Sequence, residues 1–110
     1  MKRYIKSNSD IQYESNLSFD FSWKGNTYDE LSVEQVAEDA LDPYECAGYE
    51  FISMSEQYDG YEHIYPNVSQ CNITFIHDGN YDADAIETKL EDGLEKLGMC
   101  LEGMDFQSID

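Results

Sequence analysis

Asp78, Asn80, Asp82 and Asp84 alternate along the chain, and oxygen ligands of this kind are what a hard cation such as calcium takes. A calcium loop opening at Asp78 needs glycine at its sixth position and glutamate at its twelfth. The chain has Ala83 and Lys89 there, so the pattern fails, and Asp82 and Asp84 read instead as helix-capping residues. His63 and His77 are the only histidines, and no cysteine stands at zinc-ligand spacing from either. No phosphate-cradling glycine loop, His-Glu-x-x-His or Gly-x-Ser-x-Gly is present. The expectation is a protein with no catalytic residues, no metal and no cofactor.

The carboxylates are the chemistry that remains. Glu34 and Glu38 fall away from the apolar positions Val33, Val36 and Ala37 at helical pitch, with Asp39 on the outer flank. Further on, Glu87, Glu91 and Glu95 form a row four residues apart, with Lys89 and Lys96 on the opposite flank. Like charges at this spacing cost about 0.2–0.5 kcal/mol per pair, so a helix needing only solubility would interleave lysines. A solvated polar face is the ordinary explanation for one such helix. Two of them on the same side of a sheet are expected to merge into one negative surface.

A second concentration runs from Asp42 to Tyr65. It holds Asp42, Tyr44, Glu45, Tyr49, Glu50, Glu56, Tyr58, Asp59, Tyr61, Glu62 and Tyr65, with no Lys or Arg. Tyrosine gives large contact area with a polar tip and is frequent among interface hot spots. Neighbouring carboxylates accept the two-pronged hydrogen bonds of arginine. Tyr49 reads as a core-edge residue, whereas Tyr58 and Tyr61, flanking Asp59-Gly60, read as binding residues at a loop tip. The expected contact set is therefore Glu34, Glu38, Asp39, Asp42, Glu45, Tyr58, Asp59, Tyr61, Glu62, Glu87, Glu91 and Glu95.

The whole chain agrees with a cationic partner. Its 110 residues carry 24 acids against 6 bases, a formal net charge of -18. Three of the bases, Lys2, Arg3 and Lys6, stand at the extreme N-terminus, leaving Lys24, Lys89 and Lys96 for the rest. Direct binding to DNA, RNA or an anionic membrane is thereby disfavoured, because phosphate contacts need Lys and Arg. Hydrophobic residues at 41% and aromatics at 14% are too many for a disordered acidic tail. Cys46, Cys71 and Cys100 are odd in number and widely spaced, as expected of reduced thiols in a cytoplasm. No apolar run is long enough for a membrane span, and no apolar stretch of a secretory signal follows Lys2 and Arg3. The triplets at Asn16, Asn67 and Asn72 that match glycosylation sites then read as chance.

The elements that would position these groups follow from periodicity. Residues 1–14 are polar and predict a loose arm or short edge strand, with a single domain over 15–110. Leu17, Phe19, Phe21 and Trp23 alternate with polar residues as in a strand packed on one face. Ser32 and Gln35 match a capping box ahead of a helix that Pro43 ends. Strands are predicted over 49–55 and 70–77, with an acidic tyrosine-rich loop between them. A second helix opens at Asp84 or Asp82, carries Ile86, Leu90, Leu94 and Leu97 inward, and closes at Gly98. A last strand spans 99–107, with Gly103 marking a bulge. The order strand, helix, strand, strand, helix, strand is that of the ferredoxin-like α+β fold, a four-stranded antiparallel sheet with both helices on one face.

Small size, a surface of tyrosine and carboxylate, few Lys and Arg and no catalytic motif together resemble the DNA-mimic inhibitors of phages and mobile elements, the anti-CRISPR and antirestriction proteins. The resemblance lies in composition over the whole chain. It implies a non-enzymatic protein in the cytoplasm of a bacterial host, which binds a basic nucleic-acid-binding protein. The leading partner is a CRISPR effector nuclease, whose basic channel holds guide and target duplexes. An antirestriction protein, or an immunity protein against a cationic nuclease toxin, would use the same chemistry. A halophile-type housekeeping domain would carry the acids only for hydration.

Overall fold

The protein is described by a computed structural model covering residues 3–5, 11–55 and 63–109. The elements are β1 (Arg3–Ile5), β2 (Ile11–Trp23), α1 (Glu30–Leu41), β3 (Glu45–Ser53), β4 (Asn67–His77), α2 (Ala83–Lys96) and β5 (Cys100–Ser108). From β2 onward the order is βαββαβ, and every strand pairing is antiparallel. β2 and β4 are the centre, paired from Tyr13↔His77 to Trp23↔Asn67. β3 lies outside β4, and β5 lies outside β2, giving the ferredoxin-like order β3-β4-β2-β5. The short β1 pairs with Ile11–Tyr13 on the same side of β2, ahead of β5, so the sheet has 5 strands among the described residues. The residues expected to form a loose arm or a short edge strand thus supply the short strand β1 and the beginning of β2.

Alternation along β2 and β4 decides the core. Leu17, Phe19 and Phe21 pair with Ile73, Cys71 and Ser69 and are fully buried, as is Phe75. The helices close over this face with Val33, Ala37, Ala40 and Leu41 from α1 and Ile86, Leu90 and Leu94 from α2. Complete burial of the Val, Leu, Ile and Phe side chains among these contributes about 1.5–3 kcal/mol each. The helices meet most closely where Gly93 of α2 faces Val36. A Cβ at Gly93 would lie 2.6 Å from Val36 Cγ1, so only glycine permits this approach.

The first helix starts earlier than the apolar pattern suggests, and the second starts at its cap Asp82, one of the two positions expected. Asp29, not Ser32, caps α1: Asp29 Oδ1 accepts from Leu31 N at 3.1 Å, and Ser32 Oγ donates to Asp29 Oδ2 at 2.9 Å. Asp82 caps α2 through Ala85 N at 3.1 Å, while Asp84 falls in its first turn. At the other end, Gly98 N bonds Glu95 O and Met99 N bonds Leu94 O, both at 2.9 Å, the paired closure of a Schellman turn. The bulge expected at Gly103 occurs beside it: Asp20 pairs with Gly103 and Phe21 with Leu101, leaving Glu102 as the extra residue.

Candidate functional site

The expected acidic residues do not form one surface. On α1, Glu34 and Glu38 lie on the flank facing β3, where the Tyr49 hydroxyl donates to Glu38 Oε1. On α2, Glu91 and Glu95 lie on the far flank beside Cys100 of β5, and Glu87 continues that row. Between the two rows runs the seam of the helices, lined by Gln35, Asp39, Lys89, Asp92 and Lys96 over Val36 and Gly93. Asp39 belongs to this seam, bonded to Gln35 Nε2 at 2.9 Å. The two rows lie on opposite sides of this seam, with Lys89 and Lys96 between them and the helices closely packed at Gly93 and Val36. The merged surface expected from the sequence is therefore absent.

What does assemble is an acidic rim around the edge strand β3. Glu34, Glu38 and Asp42 approach it from the helix side. Glu45 and Glu50, both exposed, project from the other face, because they pair with Ile76 and Asn72 while the intervening Cys46 pairs with inward-facing Phe75. The register shifts between Ala47 and Glu50, and this bulge carries Tyr49 back toward α1 and Glu38. Burial and the Glu38 charge together push the Tyr49 phenol well up, and the same causes push the Cys46 thiol up to about 11. Both groups therefore stay protonated at neutral pH. Cys71, fully buried, is pushed up to about 12. All three cysteines are free, and these shifts leave the thiols poor nucleophiles. Tyr58, Asp59, Tyr61 and Glu62 lie outside the described residues.

The rim continues onto the open face of the sheet, which the sequence reading passed over as the polar half of an alternation. Rows run across it as Glu14–Ile76–Glu45, then Asp105–Ser18–Asn72–Glu50, then Gly103–Asp20–Gln70–Ile52. No Lys or Arg occurs anywhere in β2, β3, β4 or β5. A directed chain of hydrogen bonds crosses the centre. Asn16 Nδ2 donates to Ser18 Oγ at 3.0 Å, Ser18 to Asn72 Oδ1, Asn72 Nδ2 to Gln70 Oε1 at 3.0 Å, and Gln70 Nε2 to Asp20 Oδ1 at 2.9 Å. At the lower end the bulged Glu102 accepts from Ser22 Oγ at 2.6 Å and Ile64 N at 2.9 Å. That carboxylate fastens Ile64 to the sheet, and Ser22 Oγ accepts from Tyr65 N at 3.3 Å.

Under the helices lies a pairing that sequence spacing gave no sign of. Ser15 Oγ and His77 Nε2 are 2.8 Å apart although 62 positions separate them in sequence. The contact has the reach of a nucleophile and its base. Its proton arrangement is the reverse of what catalysis needs. Gly79 N donates to His77 Nδ1 at 3.0 Å, so in the neutral ring Nε2 carries the proton and donates to Ser15. His77 cannot then take a proton from that hydroxyl. Both residues are sealed, at 1% and 3% exposure. Tyr13, Tyr44, Phe75 and Tyr81 pack round the imidazole with ring centroids 4.8–6.2 Å away. Burial lowers the His77 pKa, with the Asp78 charge acting in the opposite sense. Gly79 is required here: its φ is +103° and a Cβ would come 3.1 Å from the Tyr13 ring.

The remaining acids of the Asp78–Asp84 stretch do local work. Asp78 Oδ1 accepts from Asn80 N at 3.0 Å, and Tyr44 donates to Asn80 O at 2.7 Å. No cluster of metal-ligating side chains occurs among the described residues, and no described helix is long and apolar enough to cross a membrane. Comparison with family models, curated proteins and solved structures finds no match.

Proposed function

We propose that the protein is a non-enzymatic inhibitor that binds a CRISPR-guided nuclease in the bacterial cytoplasm and denies it access to DNA. The observation that carries this reading is the rim round β3, where Glu34, Glu38, Asp42, Glu45 and Glu50 converge from both sides of one strand. Glu34 and Glu38, one helical turn apart, rise about 6 Å, and Glu45 and Glu50, which pair four positions apart on β4, are about 13 Å apart at the strand rise. The first spacing is of the order of one step between charges along a nucleic-acid strand and the second of two, so the rim offers anions where a nucleic-acid channel holds phosphates. The arginines that read a guanine motif beside the target would meet carboxylates suited to their paired N–H groups. Support against a catalytic role comes from the sealed, reversed Ser15–His77 pair and the protonated thiols.

The test is competition. Purified protein added to a guide-loaded nuclease at low salt is expected to form a complex and to displace target DNA, with affinity falling steeply as salt rises. Joint charge reversal of Glu34, Glu38, Glu45 and Glu50 is expected to abolish the complex, whereas single reversals change it little. A protein that leaves DNA binding by guided nucleases untouched, yet captures a cationic nuclease toxin, would replace this reading with the immunity one. Unfolding on removal of salt would favour the halophile one.

A further inference from the structure

We infer that β3 is a docking edge, at which an extended basic segment of the target protein adds to the sheet as a further strand. The inference rests on the target being a basic protein and concerns how it is held. β3 ends the path of the sheet, and among the described residues no strand pairs with its outer edge. Such an edge presents backbone N–H and C=O groups aimed away from the sheet, a template for another extended chain.

The side chains on either side of that edge select what pairs with it. A strand laid beside β3 places alternate side chains on the two faces. On the open face they meet Glu45, Glu50 and Ile52, the last exposed at 39%. On the helix face they meet Glu38, held in place by Tyr49, with Glu34 behind it. Lysines or arginines are therefore matched on both faces, and one apolar side chain is matched at Ile52.

The same acids disfavour a second copy as the occupant. Antiparallel pairing of two β3 strands would bring Glu45 and Glu50 of each chain against like charges, which destabilises a strand pair, and would join two chains each of formal charge -18. Natural edge strands are protected from self-pairing in this way. Here the protection is of one sign only, so it repels a copy and attracts a cationic strand.

The probe is a synthetic peptide of about eight residues, the length of an ordinary strand, alternating lysine pairs with valine pairs so that both of its faces carry lysine. Its control has the same lysines with prolines replacing valines, which keeps the charge and removes the backbone donors. The alternating peptide is expected to bind about ten-fold or more tightly than the control and to slow amide hydrogen exchange within Glu45–Ser53. The exposed pair Glu45→Lys and Glu50→Lys is expected to lose that peptide and gain its glutamate–valine counterpart, an exchange of preference that a misfolded variant would not show. Equal binding of the proline control, or protection confined to other strands, overturns the docking edge. Protection of β3 that rises with protein concentration and without peptide overturns it in favour of a second copy. Strand addition by the peptide with no nuclease binding leaves the edge standing and fails the nuclease reading. Nuclease binding without peptide discrimination does the reverse.

Discussion

Along β2, neighbouring residues live in opposite chemistries. Ser15, Leu17, Phe19 and Phe21 are sealed beneath the helices, while Asn16, Ser18 and Asp20 lie on the open face with their amide, hydroxyl and carboxylate groups linked to those of β4. The inner face packs rings against aliphatic side chains and admits polar contacts at its two ends, Ser15 with His77 and the Trp23 indole N–H on Ser69. Among the described residues no helix lies above the open face, which carries acids in three of its rows. Stability and recognition are thus assigned to opposite sides of the same strands, and substitutions should separate them.

The inner face should give the largest effect. Phe19→Ala removes a fully buried ring that contacts Phe21 at 5.9 Å between centroids and is expected to cost about 3–5 kcal/mol. Urea unfolding would register it as a midpoint shift, and an intact midpoint would mean that the helices do not hold the sheet as tightly as the burial implies.

His77 provides an intermediate effect with a sign. Its folded pKa lies below its ordinary value, so as pH falls the unfolded chain takes up the proton first. The stability His77 contributes is complete above about pH 6.5, the ordinary histidine value, and declines as pH drops toward the lowered folded value. Unfolding free energies at pH 7.5 and 5.5, about a unit either side of that value, should therefore differ more for the native chain than for His77→Gln. The variant should also be weaker at neutral pH, by about 1–3 kcal/mol, if glutamine fails to satisfy Ser15 and Gly79 together. A native chain as stable at the lower pH as at the higher would contradict a neutral, enclosed imidazole.

The open face should give the smallest change. Asp20→Asn is expected to alter stability by less than about 1 kcal/mol, yet to shift the side-chain amide resonances of Gln70 and Asn72. A loss of stability matching that of the core substitution would erase the distinction between the faces.

Much of the fold was legible because its signals are local. Phe19 and Phe21 alternate with polar residues, and Ile86, Leu90 and Leu94 recur at helical pitch, so element order and the ferredoxin-like arrangement could be read directly. The misreadings arose where the deciding contact was not apolar or not local. Ser32 looked like the start of α1 because Val33 is the first inward residue. The preceding turn exposes Leu31 at 73%, so it carried no burial signal. β2 begins before Leu17 because Ser15 faces inward to a histidine in another strand. Of the rim, Glu34, Glu38, Asp42 and Glu45 were marked by their types and helical or loop positions. Glu50 was noted within the Asp42–Tyr65 concentration but left out of the contact set, and Glu14, Asp20 and Asp105 were not marked, since only the register between strands shows that these four share a face. The separation of the α1 and α2 acid rows likewise depends on how Gly93 seats against Val36, which no periodicity within either helix encodes.

The chain of donors from Asn16 through Ser18, Asn72 and Gln70 ends on Asp20, and that terminus has a consequence for molecular memory. Carboxamides are nearly symmetric in shape, so a row of them left to itself has two almost equivalent settings, one the reverse of the other. A carboxylate that only accepts breaks the tie and writes one direction into every group behind it. Asp20 thereby acts as a polarity marker: it determines which way the open face points its donors and acceptors, and so which of two mirror-like hydrogen-bond patterns an arriving molecule encounters.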